Sequence, residues 1–301
     1  MIDTHIHLSH KKFNQMFPYL SVHRGSICLQ NGTRKELIQS FVEAGISACV
    51  EPAIEIDSIS RLLALAQEYP GYVFPAVGVH PTRTFKYQTV DKQSGDTEKR
   101  LHWNQRRLIE QYAQHPQVVA IGETGLDYHL ARKDQHRVRQ VAWFVWQIRL
   151  AHKKNLPLIL HIREADQDAL RILRLFRKWL HGGVCHCFSG SAEQAKQYTE
   201  LGFMIGVGGM LLTGTKRKMA LERAVVYTPL ESILLETDGP YVKPYCAELS
   251  RKQVETARNT SLILPAVAAR IAELKQLSIE EVETVTTMNA EDTFSISLNH
   301  R

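Results

Sequence analysis

Eight short apolar runs rich in valine, isoleucine and leucine recur along the chain, ending near His7, Pro52, Val79, Glu123, His161, Cys187, Gly208 and Thr237. Each interval between them holds a segment of helical character, so strand and helix alternate throughout. In Asp134 to Asn155, the residues Val138, Val141, Ala142, Val145 and Ile148 follow the 3.6-residue period, which predicts a helix burying that stripe. Ser191 with Gln194, and Ser278 with Glu281, have the spacing of capping boxes and mark two helix starts. Trp143 and Trp146 lie inside the helical pattern, far in sequence from any polar strand end, and are read as packing against the sheet. Eight alternating units predict an α/β fold of the (β/α)8 TIM-barrel type, in which active sites gather at the carboxyl ends of the strands.

Those strand ends carry the candidate chemistry. In Asp3-Thr4-His5-Ile6-His7, strand alternation turns His5 and His7 to one face. Two imidazoles roughly 6–7 Å apart along a strand can tilt toward one divalent cation. The run from Val118 stops on the carboxylate of Glu123, between Gly122 and Gly125; runs from Leu158 and Gly183 stop on His161 and His186; and the run from Ile233 closes on Asp238. Taken singly, each is a polar residue ending a strand. A barrel brings all six to one mouth, and imidazole with carboxylate is a metal-ligand set.

A length of 301 residues suits one such barrel, and no linker or internal repeat divides it, so residues 1–301 are read as a single domain. The stretches Lys11–Lys35 and Arg83–Asn104 are polar, turn-rich and longer than a barrel needs; both are expected to be enlarged loops over the ligand face. Five cysteines, Cys28, Cys49, Cys185, Cys187 and Cys246, are an odd number in a long chain and point to a reducing compartment. Cys185 and Cys187 are read as small packing residues flanking His186.

No run approaches the ~20 apolar residues of a membrane span, and cleavage of an amino-terminal signal would remove His5 and His7, so a cytoplasmic protein is expected. The net charge of +6 permits a polyanionic partner without requiring one. Arg132-Lys133, Lys153-Lys154 and Lys216-Arg217-Lys218 are short runs read as solvated faces.

The ordered motifs Asp3–His7, Val77-Gly-Val-His-Pro81, Gly122-Glu-Thr-Gly-Leu-Asp-Tyr128, Leu160-His-Ile-Arg163, His186-Cys-Phe-Ser-Gly190 and Leu234-Leu-Glu-Thr-Asp-Gly-Pro-Tyr241 resemble the TatD family of metal-dependent deoxyribonucleases, in the amidohydrolase superfamily. The resemblance runs from Ile2 to about Phe294. It implies two divalent ions per chain (zinc, magnesium or manganese), with Glu123 bridging them, His5, His7 and Asp238 holding one, and His161 and His186 the other. It also implies 3′-5′ removal of nucleotides from single-stranded DNA, or hydrolysis of another phosphodiester. Asp238 and Glu123 would act in catalysis, with His80 and Arg163 on the substrate. Two cations held close together acidify a water and neutralise charge on the phosphate, and Asp238 is the natural acceptor of the nucleophile's proton. Arg83 and Lys243 are further candidates for phosphate contact.

The chain departs from the family pattern at three motifs: Thr82 where His-Pro-His is frequent, Thr260-Ser261 after Asn259, and Gly239 where serine is frequent. They leave the ligand set whole and bear on substrate preference. The alternative function is a superfamily hydrolase of a small amide, ester or lactone. A non-catalytic binding protein on the same fold would show a lost ligand, and all six are present.

Overall fold

The structure, a computed structural model, describes residues 1–23, 25–87, 97–131, 133–214, 216–246 and 248–298, with the backbone alone at 97–104 and 216–217. Strand β1 (Ile2–Asp3) leads into a hairpin of β2 (Phe17–His23) and β3 (Ser26–Gly32), then α1 (Arg34–Glu43). The alternation follows: β4 (Ala48–Pro52) and α2 (Ile56–Glu68), β5 (Val73–Val77) and α3 (Thr97–Tyr112), β6 (Ala120–Asp127) and α4 (Asp134–Lys154). Next come β7 (Leu158–Arg163) and α5 (Asp166–Leu175), β8 (Gly183–Cys185) and α6 (Ala192–Thr199), then β9 (Phe203–Val207) and α7 (Lys216–Tyr227). The last strand, β10 (Ile233–Leu235), precedes α8 (Arg251–Thr256), α9 (Leu264–Lys275) and α10 (Ile279–Phe294).

Among the described residues, eight strands form one parallel sheet in the order β1-β4-β5-β6-β7-β8-β9-β10. The ends of the sheet meet: Thr4 N donates to Leu235 O (3.0 Å), Asp238 N to His5 O (2.8 Å) and His7 N to Gly239 O (2.8 Å). The result is the expected barrel, nearly closed, with the first and last polar strand ends drawn against each other. Its interior is packed, not open. Ile2, Val50, Ala76, Ala120, Ile159, Val184 and Leu234 fill it, and Ala290, Phe294 and Ile296 seal the amino-terminal end.

The expected helix over 134–155 is present, but the buried face differs from the aliphatic stripe. Val138 is 68% exposed and Ala142 is exposed, while Gln140, Trp143, Phe144, Gln147, Ile148 and Ala151 are buried. Hydrogen bonding accounts for the two inward glutamines. Gln147 accepts from Val79 N (2.8 Å) and donates to Val79 O (3.1 Å) and Thr124 Oγ1 (2.6 Å). Gln140 brackets the backbone of Asp127 in the same way. A polar residue whose amide oxygen and nitrogen both find partners can be an interior residue, which a search for apolar periodicity misses. The Trp143–Trp146 pair packs as expected, ring centroids 5.4 Å apart.

The Lys11–Lys35 stretch is not an irregular loop. Its centre is the β2–β3 hairpin, with Phe17 and Leu20 buried, and Lys35 belongs to α1. Of Arg83–Asn104, residues 83–87 form part of a 3-10 turn and 97–104 open α3, while 88–96 lie outside the described residues. Arg132 and the side chains of Lys216 and Arg217 also lie outside them. The capping box of Ser191 and Gln194 is formed, and Ser278 accepts from Glu281 N. All five cysteines are free. Among the described residues, no helix is long and apolar enough to cross a membrane.

Candidate metal centre

The position of Glu123 depends on a local irregularity in β6. Ile121 is paired with Leu158 but Thr124 with Leu160, so β6 carries one residue more than β7 across this step. Strict alternation from Ala120, which faces the interior, would turn position 123 outward; the extra residue restores Glu123 to the mouth of the barrel. Only glycine fits at the step. A Cβ on Gly122 would lie 2.7 Å from Ile159 Cβ and 2.8 Å from Ile159 O.

Glu123 is 3% exposed, and its two oxygens face different imidazoles. Oε2 lies 3.7 Å from His5 Nε2 and 3.9 Å from His7 Nε2. Oε1 lies 2.9 Å from His161 Nδ1, 2.8 Å from His186 Nε2 and 3.4 Å from His80 Nε2. Asp238, whose backbone is left-handed at φ 54°, points Oδ1 to within 3.4 Å of His7 Nε2 and 3.8 Å of His5 Nε2. All six expected ligands therefore converge. His80, expected at the substrate, joins them: one donor atom each from His80, Glu123 and His161 lies within 4.8 Å of the others, as for His5, His7 and Asp238.

The electrostatics suit cations. His5 is fully buried with neither ring nitrogen hydrogen-bonded, and burial with the neighbouring His186 pulls it down to about 3, leaving a neutral imidazole with a lone pair to give. Burial works against the charged form of His7, but the hydrogen bond and charge of Asp238 outweigh it and push His7 up to about 9. His161 rises to about 9 against the same burial, through Asp127 and Glu123. Glu123 and Asp238 are held low despite burial by the imidazoles around them. One buried and one half-buried carboxylate among imidazoles with unsatisfied nitrogens are a fitting donor set for divalent ions.

Several residues hold the candidate ligands in place, and the sequence reading did not single them out. Pro52 O takes His7 Nδ1 at 3.2 Å, leaving Nε2 toward Asp238. Asp127 meets His161 Nε2 at 3.3 Å. Glu236 accepts from Cys187 N and lies 3.9 Å from His186 Nδ1. Asp3 accepts from His5 N, Thr237 N, Thr237 Oγ1 and Ser261 Oγ, tying the closing seam. The available signal was even spacing from a ligand: Asp3 precedes His5 by two, Glu236 precedes Asp238 by two, and Asp127 follows Glu123 by four.

Arg163 lies at the end of β7, two residues beyond His161 as expected, and lines a small cavity of about 250 Å³ with His161, His186, Cys187 and Asp238. Cys187 therefore faces this cavity instead of serving only as packing, while Cys185 is buried in the core. Lys243 is engaged elsewhere: its amine donates to the carbonyls of Val254 (2.6 Å) and Glu255 (2.7 Å).

Residues 2–295 match the family described as TatD related DNase. The chain belongs to this family. Like its TatD-family relatives it is a metal-dependent hydrolase. An uncharacterized metal-dependent hydrolase of Bacillus subtilis is 30% identical over 99% of this chain and 100% of its own length. A protein of Edwardsiella piscicida named 3′-5′ ssDNA/RNA exonuclease TatD is 29% identical over 89% of this chain and 95% of its own. The crystal structure of a TatD homolog from Escherichia coli superposes with a TM-score of 0.76 at 27% identity, covering 99% of this chain and 98% of that one.

Proposed function

We propose that this TatD-family hydrolase removes nucleotides from the 3′ end of single-stranded DNA, using two divalent cations. The observation that carries the reading is Glu123, with one oxygen toward His5 and His7 and the other toward His161 and His186. That is the disposition of a carboxylate shared by two ions. Held by these residues and Asp238, divalent cations supply Lewis acidity that activates water and offsets phosphate charge. Asp238 takes the nucleophile's proton, since it is ionised and lies at the edge of the small cavity. Arg163, on the wall of that cavity, grips a non-bridging phosphate oxygen.

His80, with its ring centroid 4.2 Å from that of His161, orients the scissile group. Its Nδ1 lies 2.7 Å from Thr82 Oγ1, which fixes the ring with Nε2 toward Glu123. Thr82 thus holds the imidazole in place, even though the third-strand motif lacks a second histidine. A site recessed at the mouth of a barrel accepts a flexible strand end more readily than a duplex, and the name of the Edwardsiella relative agrees with that class of substrate.

Linear and circular single-stranded DNA of equal length provide the test, assayed with magnesium, manganese or zinc. Release of mononucleotides from the linear form alone is expected. Equal degradation of the circle would refute the end-directed mechanism. Inertness toward both, with hydrolysis of small amides or esters, would replace the nuclease reading with the amidohydrolase one.

A further inference from the structure

A second, larger cavity of about 670 Å³ begins at His7 and Tyr241, on the side of the metal centre away from Arg163, and extends between the start of α1, α2 and the 81–87 turn. Its volume is within the range of roughly 300–1,000 Å³ typical of ligand pockets. Three buried polar atoms on its wall have no hydrogen-bond partner: Arg34 Nε, Arg83 Nε and Glu51 Oε2. Leaving one such atom unpaired costs on the order of 1–3 kcal/mol, so three around one cavity are a poor solution for an inert fold.

The geometry of each is specific. Glu51 is 1% exposed; its Oε1 accepts from Ser9 N at 2.7 Å, which fixes the carboxylate and leaves Oε2 as a free acceptor. Arg34 is steadied by Nη2 donating to Asn14 Oδ1 at 2.7 Å. Arg83 lies 4.0 Å from Glu55 Oε2, too far for a hydrogen bond, while Lys86 takes that oxygen at 2.5 Å. Among the charged side chains on its wall, which also include Arg61, Lys11 and Lys86, the cavity thus offers two unpaired guanidinium Nε donors and one buried acceptor.

A bare phosphate would satisfy the arginines and face repulsion from Glu51. A nucleoside alone would satisfy Glu51 and leave the arginines unpaired. We infer that this cavity is a nucleotide subsite beside the metal centre, in which Arg34 and Arg83 bind the phosphate and Glu51 Oε2 accepts from a sugar hydroxyl or a base N–H. The inference rests on the nuclease reading for its substrate class, and it assigns the unit flanking the scissile phosphate to this side of Glu123.

The test is titration calorimetry of the magnesium-loaded full chain with thymidine 5′-monophosphate and with inorganic phosphate, for wild type, Glu51→Gln and Arg34→Gln, with circular dichroism and metal content as checks on folding. Glutamine keeps the acceptor for Ser9 and offers an NH2 where Oε2 stood. The expected result is roughly tenfold weaker binding of the nucleotide to Glu51→Gln, with phosphate bound as well or more tightly once the repelling charge is gone. Arg34→Gln weakens both. Nucleotide binding that is the same in all three proteins overturns the subsite. Hydrolysis of linear single-stranded DNA by wild type in that case leaves the proposed function intact and removes only this inference. Glu51-dependent nucleotide binding by a wild-type protein that hydrolyses no DNA supports the subsite and sinks the nuclease reading.

Discussion

His5 and Asp238 are joined across the closing seam of the barrel: the Asp238 amide donates to His5 O at 2.8 Å, and Asp238 Oδ1 lies 3.8 Å from His5 Nε2. They are 233 residues apart in sequence (238 minus 5). This backbone hydrogen bond is one of three that draw the seam together, and it sets two candidate ligands side by side, so closing the barrel also assembles the candidate metal centre.

Metal content should respond to Glu123 more than to any single histidine, because its oxygens serve both groups of imidazoles. Element analysis after reconstitution should give close to two ions per wild-type chain and one or fewer in Glu123→Gln. A wild-type protein that never exceeds one ion under excess metal would contradict the shared-carboxylate arrangement.

Asp238→Asn should fold normally and lose most of its activity. Asparagine tolerates the left-handed backbone at φ 54° about as well as aspartate, and it matches the shape while being unable to take up a proton. A fall in kcat on the order of 100-fold or more is expected, with a thermal midpoint close to that of wild type. Near-native turnover with metal still bound would place the base elsewhere.

Gly122→Ala is expected to destabilise the fold by about 1–3 kcal/mol or more, the cost of forcing atoms into a packed interior, because its methyl would lie 2.7 Å from Ile159 Cβ. Urea denaturation measures this. Loss of metal should accompany it, since the same step turns Glu123 inward. Wild-type stability in the variant would show that β6 can relax away from β7.

Glu51 gives a pH dependence of known sign. Burial pushes it up to about 7 from an ordinary value of 4.5, against its hydrogen bond from Ser9 and the charges of His7 and Arg34. A folded value above the unfolded one favours the fold below about pH 4.5, and that advantage is lost as pH rises through about 7. In chelator-treated protein, Glu51→Gln should therefore gain stability relative to wild type between about pH 5 and pH 8, by at most about 3 kcal/mol. A constant difference in Tm across that range would count against it.

The sequence by itself determined the barrel, the polar strand ends proposed as ligands and the family motifs, because each is a local property: a β-branched run, its polar terminus, and the alternation of strand and helix. It also held the carboxylates Asp3, Asp127 and Glu236 at even spacing from ligands, although nothing local distinguishes an orienting carboxylate from a solvated one. Only the tertiary structure decided the rest. The extra residue in β6 that aims Glu123 is defined by pairing with β7, and the inward face of α4 is defined by the backbone of Val79 and Asp127 and the hydroxyl of Thr124, which bond its glutamines. The large cavity likewise exists because α1, α2 and the 81–87 turn meet beside His7. Pairing, burial and orphaned hydrogen bonds are relations between distant segments, and they take definite values only once the chain has closed on itself.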